Sequence, residues 1–220
     1  PKPRRQRQMC IRDSLKSLGL EAHVVEFAPR LMPVQLDADG GDALRARIEA
    51  LGVGVHLSRA TQEIVIGEEY AYRMNFNDGE FLETDLIVFS AGIRPQDALG
   101  RAAGLEVAPR GGVVVDNDCR TSDPAIFAIG ECASWNGMIF GLVAPGYSMA
   151  RNVAAQLAGE PHELFTGADM STKLKLLGVD VGSIGDAYAA TPGAKSYRYI
   201  DEAGASYRRL VVSPDGQHVI

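Results

Sequence analysis

The pair Gly130–Glu131 follows the short apolar run Ile126–Ile129 and precedes a helical pattern that opens at Ala144–Pro145–Gly146. A glycine at the carboxyl end of a buried strand lets a ligand approach the backbone closely, and the adjacent carboxylate can accept hydrogen bonds from sugar-type hydroxyls. The following helix presents free N–H groups and the positive end of its dipole. The combination predicts a nucleotide cofactor at the edge of a parallel sheet, although Gly-Glu alone would rather indicate an ordinary strand–turn–helix.

A second acid, Glu26, stands near the end of the predicted strand Ala22–Phe27. In a dinucleotide-binding βαβ unit, the acid at this point hydrogen-bonds the adenosine ribose hydroxyls. We predict this role for Glu26, although a lone acid after a strand is more often a solvated surface residue and no glycine-rich turn precedes it. Arg30, four residues on, could meet a 2′-phosphate instead, so NAD is only mildly preferred over NADP.

Apolar periodicity and turn signals predict the elements that must position these residues. Predicted helical segments are Leu15–Gly19, Asp37–Gly52, Ala98–Gly104 and Met149–Leu157, the last stopping at Gly159. Predicted strands are Ala22–Phe27, Val53–Leu57, Ala60–Gly67, Tyr70–Phe76, Asp85–Ser90, Gly112–Asp116 and Ile126–Ile129. A later antiparallel sheet is predicted from Thr172–Val181, Ser196–Ile200 and Tyr207–Val212, with turns at Glu202–Gly204 and Pro214–Gly216. Asn77–Gly79 is a predicted hairpin turn after Tyr70–Phe76.

Composition limits the kinds of function that the chain can have. Its 220 residues are 46% hydrophobic, and the net charge of −6 argues against nucleic acid as a partner. No apolar run is long enough to span a membrane, and no signal-peptide core is present. Cys10, Cys119 and Cys132 are widely spaced without a Cys-x-x-Cys, so we expect incidental thiols and no metal site. A cytoplasmic, reduced protein without a membrane segment is expected.

Residues 1–14, PKPRRQRQMCIRDS, differ from the rest because they are basic and aperiodic. They resemble translated sequencing-adapter read-through, and we exclude them from the fold as one would a cloning scar. A basic arm for nucleic acid is the poorly motivated alternative. We expect the natural gene to begin well upstream of this stretch.

Four segments, in this order, resemble the two-dinucleotide-domain flavoprotein reductases of the pyridine-nucleotide-disulfide oxidoreductase superfamily. The segments are HVVEFAPRLMP, NDGEFLETDLIVFSAGIRPQ, CRTSDPAIFAIGECA and LVAPGYSMA, and the resemblance covers roughly residues 15–160. A narrower similarity links IGECASWNGMIFGLVAPGYSMA and ADMSTKLKLLGVDVGSIGDA to the FAD-containing region of NAD(P)H-dependent nitrite reductase large subunits. Glu131 fits that branch, since most of the superfamily carries Gly-Asp at this point.

The resemblance implies an α/β fold, a truncated two-dinucleotide-domain reductase with Rossmann-like parallel sheets and a hairpin crossover. It implies that Gly130 and Glu131 grip the FAD ribitol and that Pro145 and Gly146 begin a helix steadying charge on the reduced flavin. It also implies that Gly92 lines the nicotinamide passage, for which plain crossover geometry is an equally good explanation. No catalytic acid–base pair or metal ligand is expected, because the flavin carries the redox step.

The implied activity is that of an NAD(P)H-dependent flavoprotein oxidoreductase, with NAD(P)H as donor and FAD as acceptor. Electrons would pass to an acceptor domain of the same chain or to a small subunit. In the nitrite reductases, iron–sulfur centres and sirohaem further along the chain reduce nitrite to ammonia. The alternatives are a rubredoxin or ferredoxin reductase, an NADH oxidase, or a non-catalytic flavin-binding scaffold or sensor.

The implied domains are an NAD(P)H-binding part over residues 15–92 and an FAD-binding part over residues 93–160. A linker and the start of an α+β, antiparallel-sheet domain follow over residues 161–220. Both glycine-rich phosphate-binding turns of the family are absent from the sequence, so we expect these 220 residues alone to be inactive. The sequence leaves open the electron acceptor, NAD versus NADP and the oligomeric state.

Overall fold

The computed structural model describes residues 20–176, 179–201 and 206–220. They form two compact units, which we call the central unit (Ser90–Met170) and the terminal unit (residues 20–89 with the described part of Ser171–Ile220). The described residues of 171–220 thus belong with residues 20–89, and the predicted boundaries after residues 92 and 160 stay predictions. Predictions for residues 1–14, for Leu15–Gly19 and for the turn Glu202–Gly204 lie outside the described residues.

The terminal unit contains the expected parallel strand pair. Strand β1 (His23–Val25) lies beside β2 (Gly54–His56), with Val25 opposite His56. The backbone N–H of Glu26 continues the pairing by donating to the His56 carbonyl at 2.8 Å. Both predicted strands are confirmed. Glu26 directly follows β1 and therefore lies at the carboxyl edge of the strand pair.

Helix α1 (Ala38–Ala50) connects β1 to β2, and its sequence signals work as expected. The Asp37 carboxylate caps the first turn by accepting from the Gly40 N–H at 2.9 Å. Leu44 and Ile48 are buried one turn apart, which places the apolar stripe of the helix against the strand pair. Gly52 ends the segment with a φ of +77°, a conformation that favours glycine.

A three-stranded antiparallel meander follows β2. Its strands are β3 (Thr61–Ile66), β4 (Tyr72–Phe76) and β5 (Phe81–Thr84), arranged in chain order. The Asn77–Gly79 turn joins β4 to β5, with Gly79 at a φ of +85°. The Asn-Asp-Gly signal therefore identified a real hairpin.

The central unit holds the remaining helices and a mixed sheet. Its elements are α2 (Ala98–Ala102), β6 (Val113–Val115), β7 (Ala133–Trp135), β8 (Met138–Ile139) and α3 (Val143–Ala158). β7 lies between β6, to which it is parallel, and β8, to which it is antiparallel. Fully buried Phe140 and Met149 pack with Trp135 and Phe165 in one core cluster. None of the described helices is long and apolar enough to cross a membrane.

Two apolar runs do not form the buried strands that we predicted. Ile126–Ile129 makes a single antiparallel bridge, between Phe127 and Arg120, and Asp85–Ser90 is irregular with Leu86 60% and Phe89 73% exposed. A strand needs a neighbour for its backbone groups. No strand among the described residues lies beside either run in a ladder, so the apolar pattern alone was not enough.

The predicted strand Thr172–Val181 is instead two strands of one hairpin. β9 (Thr172–Leu176) pairs antiparallel with β10 (Val179–Ser183). The other predicted pair is confirmed as β11 (Lys195–Asp201) and β12 (Ser206–Val212), also antiparallel. With the parallel pair and the central mixed sheet, these hairpins confirm the α/β class with both parallel and antiparallel strands.

Asp37 joins β12 to the start of α1. Its Oδ2 accepts from the Tyr207 hydroxyl at 2.5 Å and from Nη1 of Arg209 at 2.7 Å, while Oδ1 caps the helix. Partial burial acts to raise the pKa of Asp37, but hydrogen bonds from Tyr207, the Gly40 N–H and Arg209 outweigh it and hold the pKa below its usual value. The carboxylate stays charged and anchors the C-terminal strands of the terminal unit.

Candidate cofactor sites

Gly130 begins a 3₁₀ turn, Gly130–Cys132, with a φ of +77°. This left-handed conformation favours glycine, because a side chain here is strained. A Cβ added to Gly130 would meet no atom within 4 Å. Open space therefore lies in front of the Gly130 backbone, as an approaching ligand would require.

The N-terminus of α3 supplies hydrogen-bond donors. The helix begins at Val143, so Pro145 is its third residue, where the missing proline N–H costs little, and the side chain is fully buried. Among the described residues no side chain caps this end, and the first turn carries no acid. The N–H groups of Val143 and Ala144 have no carbonyl one turn back to bind, so they are available to an anion.

Gly146 brings the first turn of α3 against the Gly130 turn. A Cβ on Gly146 would lie 3.2 Å from the Cα of Gly130, tighter than most real contacts. The Gly130 N–H donates to Sδ of Met149 at 3.3 Å. Glycine at both positions thus permits this close approach. Four predicted residues, Gly130, half-buried Glu131, Pro145 and Gly146, come together here.

Met149 was missed by the sequence analysis as a support of this site. It is completely buried, and it follows Gly146 by three residues, so both lie on one face of α3. That spacing is visible in the sequence, but nothing in it shows that the sulfur would accept a hydrogen bond from Gly130.

A polar network, also missed, holds α3 in place. The Gln156 amide donates to the Asp118 carbonyl at 2.8 Å and to Oδ1 of Asn152 at 2.7 Å, and it accepts from Arg120 at 2.8 Å. Asn152 in turn donates to the Glu163 carbonyl at 2.6 Å. Because these buried or half-buried groups satisfy one another, the helix and its N-terminus are fixed relative to the loops around it.

Cys119 is buried in the core of the central unit and is not suited to nucleophilic chemistry. Burial, with further contributions from Asp116 and Asp118, raises the pKa of the Cys119 thiol to about 11. A thiol with such a pKa stays protonated near neutrality. Cys119 and half-buried Cys132 are both free thiols.

In the terminal unit, Glu26, the predicted ribose-binding acid, lies directly after β1. Its Oε1 accepts from the Ala28 N–H at 2.9 Å, which fixes the side chain at the start of the loop after β1. Its Oε2 has no hydrogen-bond partner among the described residues. One carboxylate oxygen is thus held by the protein, and the other can accept from a ligand hydroxyl.

Two histidines lie beside each other on the strands that present Glu26. Nδ1 of His23 is 3.1 Å from Nε2 of His56, and a Cβ on Gly54 would lie only 2.3 Å from that Nδ1. Burial lowers the pKa of His56, and so do His23 and Arg59. His56 is therefore neutral near pH 7.

Arg30 is engaged within its own loop and with the C-terminal segment. Its Nε donates to the Leu36 carbonyl at 3.2 Å, and Nη2 donates to the Tyr188 hydroxyl at 3.3 Å. The structure thus places this guanidinium on protein acceptors. Its contact with a 2′-phosphate stays a prediction.

Gly92 lies in the irregular segment 91–97 of the central unit. Its φ is +86°, and an added Cβ would meet no atom within 4 Å. A Cβ on Gly141 would lie 3.8 Å from the Ile93 side chain, so this segment passes near the turn before α3. No group of three or more His, Cys, Asp or Glu side chains in the described parts of the chain could hold a metal ion.

The sequence profile of the family "Pyridine nucleotide-disulphide oxidoreductase" matches residues 12–158. The nitrite reductase [NAD(P)H] large subunit of Klebsiella oxytoca is 60% identical over 94% of this chain and 22% of its own length. The nitrite reductase (NADH) large subunit of Escherichia coli is 57% identical over 94% of this chain and 24% of its own. The chain therefore spans about a quarter or less of these relatives.

The fold has a similar counterpart among solved structures. An FAD-dependent pyridine nucleotide-disulphide oxidoreductase from Desulfovibrio vulgaris superposes with a TM-score of 0.72 and 28% identity, covering 94% of this chain and 54% of that one. The match supports the arrangement of elements described above.

Proposed function

The chain belongs to the pyridine nucleotide-disulphide oxidoreductase family, whose members use FAD and NAD(P)H, and from this we propose its function. It is the cofactor-binding part of an NAD(P)H-dependent nitrite reductase large subunit. The observation that carries the flavin assignment is the contact between Gly130 and Gly146, which joins an open glycine turn to an uncapped helix N-terminus. The identity of 60% to a nitrite reductase large subunit supports the narrower assignment.

The residues of the central unit fit FAD. The space in front of Gly130, which a Cβ would enter, admits a ligand to the backbone, and the N–H groups of Val143 and Ala144 suit negative charge. Glu131 accepts from a ribitol hydroxyl, while Pro145 and Gly146 keep the first turn of α3 close to it. When bound, FAD takes a hydride equivalent from NAD(P)H and releases electrons to an acceptor.

The residues of the terminal unit fit the adenosine end of NAD(P)H. Glu26 accepts from the ribose hydroxyls through Oε2, while the Ala28 N–H holds Oε1 and so fixes the direction of the carboxylate. Gly92, at the start of the central unit, borders the nicotinamide passage. None of these residues transfers a proton, because the protein binds and orients the reactants.

In the whole protein, iron–sulfur centres and sirohaem, which we place outside these 220 residues, would supply the route for electrons from the flavin to nitrite. Its acceptor is a further domain of the same polypeptide or a small subunit, and its product is ammonia from nitrite. The cytoplasm is the expected compartment, since NAD(P)H is supplied there.

Anaerobic mixing of NADH with the whole purified protein, loaded with FAD, iron–sulfur clusters and sirohaem, tests this function. We expect the visible flavin absorbance to bleach, and with nitrite present the ammonia formed should match the nitrite consumed. Bleaching without nitrite turnover would contradict the nitrite reductase assignment and favour a ferredoxin-type reductase. No bleaching with either NADH or NADPH would contradict the reductase assignment as a whole.

Replacing Glu26 with alanine should raise the KM for NADH about tenfold, because a charge-assisted hydrogen bond to the ribose contributes roughly 1.5–3 kcal/mol. The value of kcat should change little, since Glu26 does not touch the reacting atoms. Steady-state kinetics with a saturating acceptor measure both. Glu80, exposed at the turn before β5, is the matched control: Glu80→Ala should leave KM as it is. Unchanged KM values for NADH and NADPH in Glu26→Ala would remove Glu26 from the site.

A further inference from the structure

The Arg30 guanidinium is the positively charged group of the loop between β1 and α1 (residues 26–37, the Glu26 loop). A positive charge here could distinguish NADPH from NADH. The two cofactors differ by a 2′-phosphate on the ribose that an acid such as Glu26 binds. Arginine binds phosphate best through two parallel N–H groups on one edge of its planar head. One such edge combines Nε with one N–H of Nη2, and the other combines Nη1 with the second N–H of Nη2.

Nη2 already has acceptors in the structure. It donates to the Tyr188 hydroxyl at 3.3 Å and to the Pro33 carbonyl at 3.5 Å, two acceptors that lie side by side. Nε donates to the Leu36 carbonyl at 3.2 Å. The edge that combines Nε with Nη2 is therefore occupied, and a 2′-phosphate would have to displace protein acceptors to bind this edge in the bidentate geometry.

The Tyr188 hydroxyl connects Arg30 to the two backbone carbonyls that the guanidinium also contacts. It lies 2.6 Å from the Leu36 carbonyl and also within hydrogen-bond distance of the Pro33 carbonyl. Its single proton satisfies one carbonyl at a time, and its oxygen accepts from Arg30. Tyr188 thus bridges the two carbonyls that Arg30 also uses.

Tyr188 is itself held in place by its neighbours. Asp186 accepts from the backbone N–H groups of Ala190 at 2.9 Å and Thr191 at 2.7 Å, which closes the turn around Tyr188. Arg209, whose Nη1 binds Asp37, donates through Nη2 to the Tyr188 carbonyl at 3.4 Å. The C-terminal segment therefore delivers the hydroxyl to the Glu26 loop at a fixed position.

The stem of Arg30 is also constrained, by glycine in the first turn of α1. A Cβ on Gly41 would lie 3.0 Å from Cβ and 3.2 Å from Cδ of Arg30, so the stem runs directly over the bare helix backbone. Stem and head are thus both positioned, and the guanidinium does not have to be ordered by a ligand.

We propose that Tyr188 is a positioning residue that keeps the Arg30 guanidinium on its own loop and so biases the nucleotide site toward NADH over NADPH. The inference rests on the proposed function, since it needs the adenosine ribose to lie at Glu26. Nothing in the reaction itself passes through Tyr188.

Tyr188→Phe tests the inference in the FAD-loaded protein. Removing the hydroxyl leaves Nη2 the longer contact with the Pro33 carbonyl, so the guanidinium is held less firmly on its loop. The ratio of kcat/KM for NADPH to that for NADH should then rise roughly threefold to tenfold, less than a full charged hydrogen bond would give. The rise should come from a lower KM for NADPH, with kcat for the two cofactors moving together. Tyr197→Phe, the same change at an exposed tyrosine of β11, is the matched control and should not alter the ratio.

Two further variants separate positioning from structure. In Tyr188→Phe/Arg30→Ala the gain for NADPH should disappear, because it acts through Arg30. In an otherwise unchanged protein, Arg30→Ala should weaken binding of adenosine 2′,5′-bisphosphate, relative to adenosine 5′-monophosphate, far less than it does in the Tyr188→Phe background. Calorimetric titration of the two nucleotides measures this without enzyme turnover and does not need Tyr188→Phe to be active.

A large loss of bisphosphate affinity in Arg30→Ala alone would overturn the inference, because Arg30 would then already serve the phosphate. An unchanged NADPH to NADH ratio in Tyr188→Phe, with Glu26→Ala acting as expected, would overturn the role of Tyr188 while leaving the nucleotide site intact. An inert Glu26→Ala would instead overturn the position of the ribose and, with it, the nucleotide part of the proposed function.

Discussion

FAD binding should be lost when Gly130 is replaced by valine. The residue has a φ of +77°, and the space that its side chain would enter is the space through which a ligand reaches the backbone. Two effects follow: the left-handed conformation costs roughly 1–3 kcal/mol for a residue with a side chain, and the valine methyl groups occupy the ligand volume. We expect the Kd for FAD to rise about a hundredfold or more, equivalent to roughly 3 kcal/mol.

Gly159 provides the control that separates these two effects. It has a φ of +70° and, like Gly130, no atom within 4 Å of an added Cβ, but it lies at the far end of α3. Gly159→Val should therefore cost similar stability in the protein without flavin and retain FAD. The measurements are the flavin-to-protein ratio after gel filtration and urea unfolding of the flavin-free protein. Equal flavin retention in the two variants would show that the Gly130 turn does not face the cofactor.

Short sequence signals correctly predicted the elements whose ends are set by neighbouring residues of the chain. Asp37 and Gly52 bound α1 through a side-chain cap and a left-handed glycine, and Asn77–Gly79 turns the meander, all within a few residues of chain. Gly130, Pro145 and Gly146 were chosen for backbone freedom and helix-end donors and Glu131 for its carboxylate, and the structure brings these four residues together, while their contact with a flavin stays a prediction.

Features that depend on distant partners were not visible in the sequence. The apolar character of Ile126–Ile129 and Asp85–Ser90 indicates a preference for burial, but a ladder also needs a neighbouring strand, and the described residues supply none. Hydrogen bonds of Asp37 with Tyr207 and Arg209 link residues 170 and 172 positions apart. No periodicity or spacing rule pairs such residues, and the Tyr188–Arg30 contact escaped prediction for the same reason.

Met149 connects the core of the central unit to the candidate flavin site, and its truncation should weaken both. The side chain is fully buried among Trp135, Phe140 and Phe165, and its sulfur accepts the Gly130 N–H at 3.3 Å. Met149→Ala leaves a cavity as well as an unsatisfied N–H, so we expect a loss of about 3 kcal/mol in the free energy of unfolding, within the range of 2–5 kcal/mol for such changes.

Trp135 makes this loss measurable for the central unit alone, because it is the single tryptophan of the chain and belongs to the same core cluster as Met149. Urea unfolding followed by Trp135 fluorescence should shift to a lower urea concentration in Met149→Ala with little change of slope.

Met149→Leu conserves volume and removes only the sulfur acceptor, so its cost in unfolding free energy should stay below about 1.5 kcal/mol. If the sulfur contact holds the Gly130 turn in its binding geometry, FAD affinity falls in the leucine variant as well, although its core remains packed. Full FAD affinity in Met149→Leu together with a loss in Met149→Ala would assign the effect to packing rather than to that contact, and a stability loss below about 1 kcal/mol in Met149→Ala would contradict the core assignment itself.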